Sequence, residues 1–177
     1  MGDSSMPEIL GRGRFLTLVN DAPRQWEYVR RNNPRPPVGI IAKDDKNQVL
    51  LIEQYRPPVD ANVIEIPAGL VGDHAPDESM EAAARRELFE ETGYEAGRIE
   101  WLTRGPTSAG LASELIDLVR AHDVRYIGEA KGDGTEQITL YAIDMNAVDG
   151  WLAEKAAAGV LIDAKVYTAL YFLRLNP

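Results

Sequence analysis

The chain has 177 residues, 45% of them hydrophobic, a formal net charge of −9 and no cysteine. Such a length suits one domain with a real core, the hydrophobic share argues against disorder throughout, and the acidic balance argues against a nucleic-acid partner, which wants a basic surface. Without cysteine there is no disulfide, no thiol nucleophile and no cysteine-held zinc.

Residues 1–12 read as a loose leader. It lacks the apolar core of a signal peptide, and Met6 stands where myristoylation needs Ser or Thr. Residues 15–19 and 25–30 read as strands around the turn Asn20-Asp21-Ala22-Pro23, so residues 13–36 form an N-terminal antiparallel hairpin. Such a pair is marginal alone and must pack on something. The apolar runs 38–42 and 49–53 flank a polar turn and give a hairpin of core strands. Residues 63–66 are a short strand stopped by Pro67. A polar turn opens at Gly72; a helix is predicted from Glu78 to Thr92, with Gly93 able to end it in a left-handed conformation. Further strands are expected at 98–102, 115–119 and 138–143, with a glycine-bearing loop at 128–134. Asp144 or Asn146 can cap a helix running through Ala157, and Asp163 can cap a last one carrying Val166, Leu170 and Leu173 at helical spacing. Strands and helices mix without strict alternation, which predicts the α/β class with a mixed sheet between helices. No apolar run approaches the about 18 residues of a membrane span, and the expectation is a cytoplasmic protein.

The helix before Gly93 carries the chemistry. Met80, Ala84 and Leu88 recur every four residues as a core-facing stripe. Glu87 and Glu91 fall on or beside that stripe, and Glu90 lies one step to the other side. A solvated acidic face is the ordinary reading of such a run. It does not explain acids on the core side, where isolated carboxylates are costly, nor like charges four residues apart. A hard divalent cation such as Mg²⁺ resolves both, because it prefers carboxylate oxygens and keeps waters for substrate phosphates.

The spacing is more specific still. The segment reads Gly72, five residues, Glu78, seven residues, Arg86-Glu87-Leu88, one residue, Glu90-Glu91, one residue, Gly93-Tyr94. This resembles the complete Nudix box, the signature of hydrolases that cleave a nucleoside diphosphate linked to another group. Seven required identities make a chance match roughly 10⁻⁹ per start position, at average residue usage. The run 53–58 (Glu-Gln-Tyr-Arg-Pro-Pro), the run 64–70 (Ile-Glu-Ile-Pro-Ala-Gly-Leu), Arg24-Gln25-Trp26-Glu27 with Arg30-Arg31, and the run 162–167 resemble the ADP-ribose and ADP-sugar pyrophosphatase branch of that family. The resemblance extends from about Gly13 to Leu173. It implies an α/β/α sandwich over residues 37–177, cleavage of a diphosphate bond, dependence on Mg²⁺ with Mn²⁺ as a substitute, and a homodimer whose N-terminal strands reach the partner subunit.

Diphosphate hydrolysis needs charge neutralisation, an aligned water and a base. Glu87, Glu91 and Glu90 are the candidate metal ligands, and the resemblance adds the Ala68 carbonyl. Arg86 is read as orienting a box glutamate, and Glu78 as fixing the loop-helix geometry. The resemblance places the base in a loop beyond the box, where Glu136 in the run 132–136 has the right position; Glu114 is the rival. Relatives carry Ser-Pro-Gly before an acid where this chain has Ser108-Ala109-Gly110, which changes that loop. Trp26 is the candidate base-stacking platform and Phe15 its opposite wall, although strand aromatics are more often packed. Arg31 and Arg56 are candidate phosphate contacts, since a guanidinium fork fits phosphate oxygens, and Glu65 is a candidate contact to the adenine edge or ribose. His74 and His122 stand isolated and read as surface residues. The leading reading is hydrolysis of ADP-ribose or a related nucleoside diphosphate sugar to a nucleoside monophosphate and a sugar phosphate. The alternatives are a nucleoside triphosphate pyrophosphohydrolase and a non-catalytic nucleotide-sensing module.

Overall fold

The computed structural model describes residues 7–32, 35–130 and 137–175. Its N-terminal part is a three-stranded antiparallel sheet of β1 (Glu8–Arg12), β2 (Leu16–Asp21) and β3 (Trp26–Arg31), in that order. The hairpin is thus joined by a further strand: Glu8–Arg12, read as part of a loose leader, pairs with β2. All five of its residues are exposed, so no buried alternation marks it in the sequence. The β2–β3 turn is tightened by Asp21, whose carboxylate accepts from the Arg24 amide at 3.3 Å.

The main sheet has nine strands. They are β4 (Pro37–Asp44), β5 (Gln48–Arg56), β6 (Ala61–Glu65), β7 (Ala68–Leu70), β8 (Tyr94–Glu95), β9 (Arg98–Pro106), β10 (Leu115–Tyr126), β11 (Ile138–Asp144) and β12 (Leu161–Ile162). Its spine runs β12-β6-β5-β4-β10-β8, with β11 on β5, β7 on β4 and β9 on β10. The β10–β4 and β12–β6 pairs are parallel and the β5–β6, β5–β11 and β9–β10 pairs antiparallel, which makes the sheet mixed, as expected. Strand β4 is buried along almost its whole length, as its unbroken apolar run requires of a strand covered on both faces.

Three helices cover those faces: α1 (Met80–Thr92), α2 (Val148–Ala157) and α3 (Ala164–Leu175). Strand alternation sorts the core into two layers. Val38, Ile40, Ala42 and Leu50 meet Ala83, Ala84 and Leu88 of α1. Ile41, Leu51, Ile64 and Ile66 meet Val148, Leu152, Val166, Leu170 and Leu173 of the other two helices. The result is an α/β/α sandwich. Burying a side chain such as Leu88, which is 0% exposed, contributes roughly 1.5–3 kcal/mol.

Helix ends followed the sequence unevenly. Gly93 ends α1 at φ +73°, its amide bonded to the Phe89 carbonyl. A side chain at Gly93 would overlap the Gly128 carbonyl, so this position needs glycine twice over. At the other end the helix starts at Met80 rather than near Glu78, and Ser79 caps it, its hydroxyl accepting from the Ala82 amide at 3.1 Å. Neither Asp144 nor Asn146 caps α2: the flanking residue is Ala147, with no side-chain cap. The Asp144 carboxylate is used one turn earlier, on the Asn146 amide at 2.7 Å. Asp163 precedes α3 and accepts from the Lys165 amide at 2.7 Å.

Candidate active site

The polar turn, α1 and the short strand β7 build one cleft. Arg86 is its hub. Its Nε donates to Glu78 at 2.9 Å, one terminal nitrogen donates to Glu87 Oε1 at 2.7 Å and Glu90 Oε2 at 3.0 Å, and the other reaches the Leu70 carbonyl at 3.2 Å. Glu78 in turn accepts from the Gly72 amide at 2.8 Å, which ties the turn to the helix. The Arg86 guanidinium holds the Glu78 carboxyl below the usual carboxylate range. Burial pushes the Glu87 carboxyl the other way, and Arg86 opposes that rise.

Glu91 is only 7% exposed and accepts from the Ala68 amide at 3.0 Å. Next to it, Gly69 has no side chain because the Glu87 carboxylate fills the space a Cβ would take. The cleft measures about 200 Å³, and Ala68, Gly69, Glu87, Glu90 and Glu91 all line it. With Arg86, five of the sequence-derived candidates therefore share one cavity. Among the described residues no three acidic or histidine groups form a ready-made cation cage; Arg86 takes one oxygen of Glu87 and one of Glu90.

The candidates outside the box are placed differently. Glu114 does not reach this cleft: it pairs with Arg31 in a second cavity, about 340 Å³, walled by Arg30, Arg31, Arg35 and Arg104. Arg56 and Glu65 bind each other at 2.6 Å, and Gln54 donates to the same Glu65 oxygen at 2.9 Å. Trp26 and Phe15 are 53% and 65% exposed, so neither is the packed strand aromatic that composition alone favours. The Trp26 indole donates to the Gly110 carbonyl at 3.1 Å. Glu136, with its loop 132–136, lies outside the described residues.

Both histidines have acidic neighbours rather than standing isolated. His74 lines the cleft with its ring nitrogen 3.9 Å from Glu90, and His122 meets Glu100 at 2.6 Å. Sequence reading missed His74 in the cleft and Arg35 and Arg104 in the second cavity. His74 had one signal, its place in the polar turn two residues after Gly72; the arginines had none.

Known proteins resemble this chain in sequence and in fold. A NUDIX domain match spans residues 33–167. A methanol dehydrogenase activator of Bacillus methanolicus is 34% identical over 162 residues, covering 91% of this chain and 82% of that one. An ADP-ribose pyrophosphatase of Bacillus subtilis is 29% identical over 139 residues, covering 78% and 72%. Among solved structures, an ADP compounds hydrolase superposes with a TM-score of 0.71 over 96% of this chain and 90% of that one, at 23% identity, a likeness of fold.

Proposed function

The chain belongs to the NUDIX family of hydrolases, and from that premise we propose that it hydrolyses the diphosphate bond of ADP-ribose or a related nucleoside diphosphate sugar with Mg²⁺. The single observation that carries the chemistry is the cleft shared by Glu87, Glu90, Glu91, Ala68 and Gly69. Hard oxygen donors crowd there, and the Glu87 carboxyl is raised by its own burial, a condition that a cation relieves. Arg86 uses one oxygen of Glu87 and one of Glu90, and the other Glu90 oxygen lies 3.9 Å from His74, so the second oxygen of each carboxylate would be available to a cation. Glu87, Glu90, Glu91 and the Ala68 carbonyl would hold it. When bound, Mg²⁺ supplies charge neutralisation at the diphosphate and lowers the pKa of bound water.

The chain's own groups do the rest. Arg86 aims the acids, and Arg31 and Arg56 contact the diphosphate oxygens. Trp26 stacks on the base with its exposed ring face. Phe15 stands at the other end of the β2–β3 pair, beside Asn32, and can form the opposite wall only from a second subunit of the proposed homodimer. Glu65, both of whose oxygens Arg56 engages, contacts the adenine edge or ribose. A water oxygen bonds to phosphorus, its proton passes to a glutamate, and the bridging phosphorus–oxygen bond breaks. Engagement of Glu114 with Arg31 in the other cavity supports giving that proton to Glu136. Relatives named as an ADP-ribose pyrophosphatase and an ADP compounds hydrolase support the substrate class. The N-terminal sheet exposes Ile9, Leu10, Leu16 and Leu18, which supports a homodimer formed through that sheet.

A panel of ADP-ribose, other nucleoside diphosphate sugars and nucleoside triphosphates, each with Mg²⁺ and with EDTA, tests the reading. Metal-dependent release of a nucleoside monophosphate from a diphosphate sugar is expected; a preference for triphosphates overturns it.

A further inference from the structure

The second cavity contains more positive charge than its acids neutralise. Arg31 is paired with Glu114 and Arg104 with Asp117. Arg30 and Arg35 also line it, and neither has an ion-pair partner among the described residues. Arg104 is firmly held there. Asp117, 1% exposed, accepts from Arg104 Nε at 2.9 Å and a terminal nitrogen at 2.6 Å, and from the Trp101 indole at 2.8 Å. A buried carboxylate satisfied in this way fixes the guanidinium at the cavity wall. Two uncompensated guanidinium groups beside two fixed ones suit a phosphomonoester, which carries close to two negative charges and three acceptor oxygens.

The cavity lies against the carboxylate cleft. Arg35 packs over Gly72 and the Pro36 carbonyl accepts from the Val71 amide at 3.1 Å, while Leu70 and Asp73 on either side line the cleft. The two sites therefore share the 70–73 wall. On strand β3, Arg30 stands four residues beyond Trp26, about 13 Å along an extended chain. That distance is too great for a group on the base and suits one at the far end of a substrate whose diphosphate lies between.

We propose that Arg30, Arg35 and Arg104 form a phosphomonoester subsite that selects nucleoside diphosphate sugars phosphorylated on the distal sugar. The inference rests on the proposed function and deepens it by naming the substrate class. None of the three residues takes part in bond cleavage; they determine specificity.

Ribose 5-phosphate is titrated calorimetrically, in EDTA, into the wild-type chain and into Arg35→Gln and Arg30→Gln, with ribose as control. Saturable binding to the wild type, weakened at least tenfold in each variant and absent for ribose, is expected. Independently, kcat/KM with Mg²⁺ is compared for ADP-ribose bearing a 1″-phosphate and for ADP-ribose itself. The ratio should exceed ten and should fall at least tenfold in Arg35→Gln. Absence of saturable binding, binding unchanged in both variants, or a ratio near one overturns the proposal. The titration involves no turnover, so failure to hydrolyse ADP-ribose would contradict the proposed function while leaving this result readable.

Discussion

At the scale of single residues, Arg86 is the donor around which the box acids are arranged. It bonds Glu78, Glu87 and Glu90 together, with side-chain exposures of 15% for Arg86 and 9% for Glu78. Arg86→Gln breaks the forked contacts and leaves partly buried carboxylates without their cation. Stability should fall by about 3 kcal/mol, the scale for losing one partner of a buried pair, read by urea unfolding. Turnover on ADP-ribose should fall up to about 100-fold, as for groups that orient ligands from behind. Unchanged kinetics would remove Arg86 from the site. The box acids were legible because motif spacing fixes them on one helix face. His74, Arg35 and Arg104 were not, because their neighbours come from other elements: Arg35 lies against Gly72 and Arg104 pairs with Asp117, contacts that no local spacing encodes.

At the scale of elements, α2 is fastened to the sheet by one amine. Lys155 donates to Glu53 of β5 at 2.7 Å and to the Tyr141 hydroxyl of β11 at 2.8 Å, and sits 4.2 Å from the Tyr141 ring centroid. Hydrogen bonding to Lys155 lowers the Glu53 pKa below its ordinary 4.5, and Glu53 raises Lys155 above its ordinary 10.5. The depressed Glu53 stabilises the fold above its ordinary value and loses that contribution as pH falls through its folded value. The raised Lys155 contributes fully below its ordinary value and loses this as pH rises through its folded one. Lys155→Met should therefore cost about 2 kcal/mol at neutral pH, and the deficit should shrink as acid protonates Glu53. Unfolding free energies of both proteins at pH 7 and below 4 check this; a deficit independent of pH contradicts it. Elements with a buried face, such as α1 and β4, were legible from periodicity. Strand β1 was hidden by its exposure, and β7 by the proline and glycine around it, which read as a stop although Ala68, Gly69 and Leu70 pair with β4.

At the scale of the whole molecule, the mixed sheet between helices was legible because apolar runs and amphipathic helices leave few alternatives. The proposed assembly leaves a weaker imprint, since it would depend on side chains that face outward. Leu16 and Leu18 alternate with buried Thr17 and Val19 on β2, so the N-terminal sheet presents an apolar outer face as well as an inner one. In the proposed dimer that face meets the partner subunit. Light scattering at micromolar protein should give twice the chain mass, and Leu16→Glu combined with Leu18→Glu should give the mass of one chain. A monomeric wild type would contradict the shared-site arrangement.

The proposed chemistry is centred on the cleft beneath Gly69. Glu91→Gln retains an acceptor for the Ala68 amide while removing the charge, so the fold should survive and the cation site should not. The decisive measurement is AMP release from ADP-ribose with Mg²⁺ by the wild type and by Glu91→Gln, with thermal unfolding as the check on folding. The expected result is a loss of at least about 100-fold in turnover with an unaltered unfolding midpoint. Near-wild-type turnover in Glu91→Gln would contradict it.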